Sequence, residues 1–268
     1  MKTVAVVVPF HKNILTPEEK ISLRQLLFYL GKYDKYLVLP EDKDVEAIAG
    51  REFKGFRVKR FKRRFFASDL GYNRLLIEKK FYRVFSDYEY ILIYQLDSLV
   101  FADQLLDWCG KGYDYIGAPW LSEVAQREGV WGLAYDCVGN GGFSLRRVRT
   151  FLKVLDIYQS PLRIAKRNLL TLIRRTFPAL NTENALSSRG CLAKRDAFST
   201  SGHEDIFWSF DAVRYDPQFK IAPVWAALAF SFEAGVKECF ERNKHLLPFG
   251  CHSWFKYGKD FWQPYLLK

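Results

Sequence analysis

The sequence predicts an α/β fold, a mostly parallel twisted sheet flanked by helices, on three observations. Apolar runs rich in β-branched and aromatic residues recur at residues 3–10, 36–40 and 90–97. Helix-start chemistry separates the first two: Thr16, then Pro17 and the acids Glu18 and Glu19, with Gly31 past the far end. The third run, Tyr-Ile-Leu-Ile-Tyr-Gln-Leu-Asp, stops on a single carboxylate, Asp97. Open α/β sheets bind ligands at the carboxyl edge of their strands, where such an acid would stand.

The elements follow in order. Residues 3–10 read as a central strand ending in a loop at Pro9, Phe10 and His11. A helix from Thr16 to about Leu30 and a strand at 36–40 complete a β-α-β unit, which implies a right-handed crossover. Residues 56–61 read as another strand. Ser68 and Asp69 cap a helix expected over 70–85, with Tyr72, Asn73 and Arg74 in its first turn. After the strand to Asp97 come a short helix at 102–109 and a short strand at 113–118. Gly139, Gly141 and Gly142 precede a strand in Cys-Val-Gly-Asn-Gly-Gly-Phe-Ser-Leu, where missing side chains allow unusual φ or close approach of a ligand. A helix is expected at 147–158 and another at 206–211, opened by Gly202-His203-Glu204-Asp205. Residues 221–232 read as a late strand with irregular chain, and 181–201 as a polar loop.

The totals bound the possibilities. A chain of 268 residues with 49% hydrophobic and 26% charged residues is long enough for a sizeable core and is expected to form a single domain, with 1–100 as one half and 101–268 as the other. Seven Trp, fifteen Tyr and twenty-three Phe suit either a heavy aromatic core or a sugar-handling cleft. The formal net charge is +11, and eight Lys or Arg fall between Arg51 and Arg64 against the single acid Glu52. That cluster reads either as a solvated basic face or as a surface for phosphate-bearing partners. No apolar run approaches membrane-spanning length. The five Cys have neither Cys-x-x-Cys nor zinc spacing, so reduced thiols and a cytosolic setting are expected. Residues 161–177 are basic and amphipathic, suited to packing on the domain or to lying on a membrane surface. The glycine run is not a dinucleotide fingerprint, because it leads into a strand and not a helix.

Taken in order, the chain supplies a loop after the first strand, an acid after the mid-chain strand, a glycine loop, an acidic pair at a helix start and a late His. Metal-dependent transfer from a nucleotide sugar requires parts of these kinds: a cation to stabilise a leaving phosphate and a carboxylate to deprotonate an acceptor hydroxyl. The chain resembles the GT-A-fold glycosyltransferases, and more narrowly a bacterial and fungal family named only as a domain of unknown function. The matching segments include Tyr72-Asn73-Arg74-Leu75-Leu76, Gln95-Leu96-Asp97, residues 113–120 and 138–145, Glu204-Asp205-Ile206-Phe207 and residues 248–254.

The resemblance implies roles. Asp97 stands where the Asp-x-Asp of the fold has its metal ligand, with Gln95 in place of the first acid, and His252 matches a late metal-binding His. The implied cofactor is Mn²⁺ or Mg²⁺, a nitrogen ligand favouring Mn²⁺. For His252 a hydrogen-bonded place among Phe249, Trp254 and Phe255 is the other reading. Glu204 and Asp205 match the acidic pair holding the base of inverting enzymes. Asp205 is favoured as base and Glu204 as acceptor binder, with the reverse open; helix capping alone would also explain them. Pro9, Phe10, His11, Asn73, Arg74, Gln95, Leu96, Asp97, Asn140, Gly141 and Gly142 would meet the nucleotide sugar. Trp120, His203 and Glu204 would meet the acceptor.

The implied reaction moves a sugar from a UDP-sugar donor to a glycan or lipid-linked acceptor with inversion, in polysaccharide or lipopolysaccharide synthesis. The implied location is cytoplasmic, with peripheral contact to the inner face of an anionic membrane kept open. Two alternatives belong to other classes. One is a nucleic-acid-binding protein or metal-dependent nuclease, suggested by the charge, although no nucleic-acid motif is present and no nucleic-acid partner is expected. The other is a degenerate transferase fold acting as a binding subunit, raised by Gln95.

Overall fold

The computed structural model describes residues 1–43, 52–127, 135–165 and 202–267. In chain order the strands are β1 (Lys2–Pro9), β2 (Asp34–Pro40), β3 (Arg57–Phe61), β4 (Tyr88–Tyr94), β5 (Leu99–Val100), β6 (Tyr115–Ile116), β7 (Pro119–Trp120), β8 (Cys137–Val138), β9 (Phe143–Arg147), β10 (Ser231–Phe232) and β11 (Gly250–Cys251). Six of them form the main sheet in the order β3-β2-β1-β4-β9-β6. The first four are mutually parallel, and β9 runs antiparallel to both β4 and β6. The expected architecture, a mostly parallel sheet flanked by helices, is the one found.

Two-residue periodicity divides the core. Val4, Val6 and Val8 of β1, with Leu37 and Leu92 of its neighbours, face Leu23, Leu26 and Leu30 of the helix Pro17–Leu30. Ala5, Val7, Val38, Ile91 and Ile93 face the other way, onto Phe81, Phe85, Phe151 and Val154. The sheet is covered on both faces, which is why its central strands read as continuous apolar runs. The first helix begins with a full capping box: the Thr16 hydroxyl accepts from the Glu19 N–H, and the Glu19 carboxylate accepts from the Thr16 N–H at 2.8 Å.

Four expected elements differ. The helix expected over 70–85 is two helices, Asp69–Leu75 and Lys79–Arg83. At the break the Leu76 carbonyl accepts from the Tyr82 hydroxyl and the Trp208 indole, and the Ile77 carbonyl accepts from the Gln159 amide. These side chains satisfy carbonyls that a continuous helix would have bonded internally. The strand expected to reach Asp97 ends at Tyr94, because the Gln95 N–H bonds the Gly142 carbonyl and the Ser98 N–H closes a turn on Gln95. Residues 221–232 are mostly helix, Val224–Phe230, with Ser231–Phe232 extended after it and Ile221 bridged in parallel to Tyr115 before it; Pro223 occupies the N-cap and Ala226 and Ala227 follow. The helix expected at 206–211 begins at Glu204 and runs through a π turn at Phe207–Asp211 to Tyr215.

The loop expected at 181–201 and most of the amphipathic stretch 161–177 lie outside the described residues. Among the described residues no helix is long and apolar enough to cross a membrane. The basic cluster falls on β3, an edge strand, and on the turn after it. Arg57 pairs with Asp34 and Arg63 with Asp42, and charge of this kind also protects a sheet edge from pairing with another chain.

The capping box gives a stability test. Thr16→Ala should lower unfolding free energy by about 1 kcal/mol, read as a fall in the urea midpoint at unchanged slope.

Candidate active site

A cleft of about 450 Å³ opens at the carboxyl edge of the parallel strands. Pro9, His11 and Lys12 come from the loop after β1; Phe66, Ala67, Ser68, Asp69 and Tyr72 from the start of the helix Asp69–Leu75; Gln95, Leu96 and Asp97 from the loop after β4; and Phe255 from the tail. The volume is ordinary for a small-molecule site. Five of the residues expected to meet a nucleotide sugar line it: Pro9, His11, Gln95, Leu96 and Asp97.

The tail reaches this cleft by strand pairing. β11 lies antiparallel on β5, Cys251 opposite Leu99 and Gly250 opposite Val100, and parallel to β10 on its other side. The Trp254 N–H bonds the Asp97 carbonyl at 3.0 Å. His252 is thereby held against Asp97, Nε2 to Oδ1 at 3.2 Å, and against the Gln95 side-chain oxygen at 3.1 Å. The other ring nitrogen, Nδ1, meets the Glu233 carboxylate at 2.8 Å. Ser253, at φ +50°, donates its hydroxyl to the second Asp97 oxygen.

The charges in this group follow from its geometry. Burial works against a charged His252, but Asp97 and Glu233 outweigh it and push the imidazole up to about 10. Burial works against Asp97 and Glu233 as anions, but His252 outweighs it and holds both below the ordinary carboxyl range. Two carboxylates thus share one imidazolium and leave a net negative charge. Asp97 Oδ1 is buried and meets Nε2 as an ion-pair contact at 3.2 Å without a well-directed hydrogen bond.

That observation bears on whether the residues fit a cation. Asp97 Oδ1, His252 Nε2 and the Gln95 oxygen converge within contact distance, and Glu233 on Nδ1 supplies the carboxylate that commonly orients a metal-binding His. Among the described residues no group of three His, Cys, Asp or Glu side chains is arranged to hold a metal ion. The available set is one carboxylate, one imidazole and one amide oxygen. It fits a divalent cation that shares its coordination with a ligand's phosphates, and not a closed all-protein cage.

The glycine loop separates this group from the acidic pair. Asn140 takes φ +70° and its side-chain oxygen accepts from the Gly142 and Phe143 N–H groups, fixing the turn. A Cβ on Gly142 would lie 2.0 Å from His252 Nε2, and one on Gly141 would lie 2.0 Å from Glu204 Oε1. The glycines are therefore required by close approach on both sides of the loop.

Glu204 is buried and bound to Arg146 by two parallel hydrogen bonds, 2.8 Å and 2.9 Å. Burial raises its carboxyl above the ordinary range, and Arg146 opposes that. With both oxygens on Arg146, Glu204 is not presented to an acceptor as expected. Asp205, the next residue, is half-buried and accepts from the Ile206 N–H. Burial, then the charges of Glu204 and Glu233, push its carboxyl up to about 7. Trp120 is partly exposed and stacks on Phe210, at 6.3 Å and 28°, from the helix that carries Asp205; His203 is exposed at that helix's start.

Three expected donor contacts are placed elsewhere. Phe10 is 3% exposed and packs in the core against Phe53. The Asn73 side chain is a strut, accepting from the Glu204 N–H and donating to the Asp69 carbonyl. Arg74 lines a separate hollow with Arg64, Gly71 and Glu78. Sequence reading missed Arg146 and Glu233. For Arg146 a signal existed: a charged residue inside an apolar central strand must have a buried partner. Glu233 carries no local signal beyond following an apolar run.

Among solved structures the chain is similar to the galactosyltransferase LgtC in complex with donor and acceptor sugar analogs, at 11% identity over 92% of this chain and 86% of that one, TM-score 0.47. It is similar to the glycosyltransferase GlyE of Streptococcus pneumoniae, at 15% identity over 100% of this chain and 61% of that one, TM-score 0.47. A glycosyltransferase involved in glycosylation of the major capsid of PBCV-1 matches at 10% identity over 93% and 92%, TM-score 0.43. At these values the likenesses carry no argument about activity. No curated protein matches the chain. A family profile matches residues 55–252, which include Asp97, the glycine loop, the acidic pair and His252. The chain belongs to the family described as "Protein of unknown function (DUF5672)".

Proposed function

We propose that the protein is a metal-dependent glycosyltransferase that moves a sugar from a nucleotide sugar, a UDP-sugar, to a hydroxyl of a glycan or lipid-linked acceptor with inversion. The observation that carries this reading is the buried Asp97 oxygen facing His252 and Gln95 at the edge of the cleft, with the raised carboxyl of Asp205 across the glycine loop. The GT-A resemblance of the motifs supports it. The setting we propose is cell-surface polysaccharide or lipopolysaccharide synthesis at the inner membrane face, where the β3 basic cluster would meet anionic headgroups.

Asp97, His252 and Gln95 would hold the cation, Mn²⁺ by preference over Mg²⁺. The cation supplies charge neutralisation for the departing diphosphate. The chain's own residues do the rest. Pro9, His11, Lys12 and Tyr72 enclose the nucleotide part. Asn140 and the two glycines set the backbone that separates donor from acceptor. Asp205, ionised, takes the proton of the acceptor hydroxyl as that oxygen bonds to the anomeric carbon and the bond to diphosphate breaks. The diphosphate leaves with the electron pair. Trp120 and Phe210 offer an aromatic face for the acceptor.

A screen of soluble UDP-sugars with Mn²⁺, reading UDP release, tests the reading; no release from any donor at any metal would overturn it. Asp97→Ala and His252→Ala should each weaken Mn²⁺ binding by about tenfold or more, measured by calorimetry without donor. Asp205→Asn should leave UDP binding intact and lower kcat by about 10²–10⁴. Because the base acts ionised, wild-type kcat should rise with pH through about 7.

The same group gives a stability signature. An acid whose folded value lies above its unfolded one favours the fold at low pH and loses that contribution as pH rises to about 7. Melting temperatures of Asp205→Asn and wild type should therefore diverge in favour of the variant between about pH 4 and neutrality, then run parallel.

A further inference from the structure

Arg146 is the most fully engaged charged side chain at the site. It is entirely buried in the main sheet, on β9. Its Nε donates to the Ser144 hydroxyl at 2.9 Å. One terminal nitrogen donates to the Tyr82 hydroxyl and to Glu204 Oε2, both at 2.9 Å. The other donates to Glu204 Oε1 at 2.8 Å and to the Gly141 carbonyl at 3.2 Å. All five guanidinium N–H bonds are used. The guanidinium thus grips the glycine loop and the start of the base-bearing helix at once, while Asn73 holds the Glu204 backbone from the far side.

We propose that the Arg146–Glu204 pair is a positioning device that locks the glycine loop to the helix carrying Asp205 and keeps a fixed negative charge beside that carboxyl. The role rests on Asp205 being the base. Glu204 is turned inward, with both carboxylate oxygens on Arg146. Its carboxylate is seated over the Gly141 α-carbon, where no side chain would fit, and is 2% exposed.

A buried ion pair is weak support for stability, since well-packed apolar residues often do as well, so its position beside a working group needs another reason. Here the pair is asymmetric with respect to Asp205. Glu204 is adjacent in sequence, whereas Arg146 reaches it from another strand and is turned toward Glu204 and Gly141. The groups that act on Asp205 are Glu204 on its own helix, Glu233 from the segment after β10 and Arg146 from β9; the Ile206 N–H also donates to it. Glu204 and Glu233 favour the protonated acid, and Arg146 and the Ile206 N–H oppose them. The balance leaves Asp205 able to exchange its proton near neutrality. A lone surface aspartate would be a far weaker base.

The test needs no donor and no turnover, so it is separable from the transferase reading. Asp205 is followed by carboxyl ¹³C NMR in the metal-free protein, its signal assigned by Asp205→Asn. Glu204→Gln should lower the Asp205 midpoint by about one pH unit. Glu204→Asp, which keeps the charge and loses the matched fork, should leave it near the wild-type value. If Glu204→Gln does not fold, the charge-free double variant Arg146→Gln with Glu204→Gln is titrated instead, and a smaller downward shift is expected. An unchanged midpoint in the titratable neutral variant, or an equal fall in Glu204→Asp, overturns the proposal. If the midpoint moves as expected but no UDP-sugar is turned over, the coupling stands and the transferase reading falls.

Discussion

The site depends on one short piece of strand pairing. β11 contributes two residues to the small sheet, yet their antiparallel register on β5 sets Cys251 opposite Leu99 and so brings the next residue, His252, onto Asp97. Slipping that pairing by one residue would turn the imidazole to the other face of the strand. Everything local to the cleft acts to hold the register. Gly250 lies against the Phe143 ring and the Leu99 carbonyl, where a Cβ would come within 2.4 Å and 2.6 Å. The Phe101 N–H bonds the Phe249 carbonyl, and the Trp254 N–H bonds that of Asp97.

From that pairing the electrostatics follow. Glu233, Asp97 and His252 come from three separate segments, and none would be held in its ionised form alone at such burial. Assembled, they carry an excess negative charge at the edge of a cleft whose rim includes Lys12 and His11. On the other side of the glycine loop a second buried set, Arg146, Glu204 and Tyr82, is internally neutral and closed to solvent. The loop is glycine-rich because it is squeezed between these two sets, one that can accept a ligand and one that cannot.

The main sheet was legible in the sequence because its central strands are buried on both faces and its first helix carries an unambiguous start. The carboxyl-edge position of Asp97 was legible from the apolar run it ends, and its meeting with His252 only through the family resemblance. What was not legible depends on contacts between distant segments. The broken helix at Leu76 is set by Tyr82, Gln159 and Trp208, none of which marks a stop signal locally. The helix at Val224–Phe230 is apolar all round, so periodicity alone could not tell it from a buried strand. Phe10 and Asn73 were placed on the cleft by the family resemblance, whereas one fills the core and the other braces Glu204. The assignment of Glu204 to the acceptor could not foresee Arg146, which lies 58 residues earlier along the chain.

The wide spacing of the charged group along the chain has a consequence for how the protein comes into being. Asp97 and His252 lie 155 positions apart along the chain, and Glu233 stands between them in sequence. The first four parallel strands can collapse as soon as β4 is available, but the carboxylate at their edge then has no counter-charge. Closing so long a loop is entropically slow relative to forming the neighbouring helices. The junction of His252 with Asp97 is therefore among the costliest contacts of the site in chain entropy, and it rests on the two residue pairs of β11 with β5.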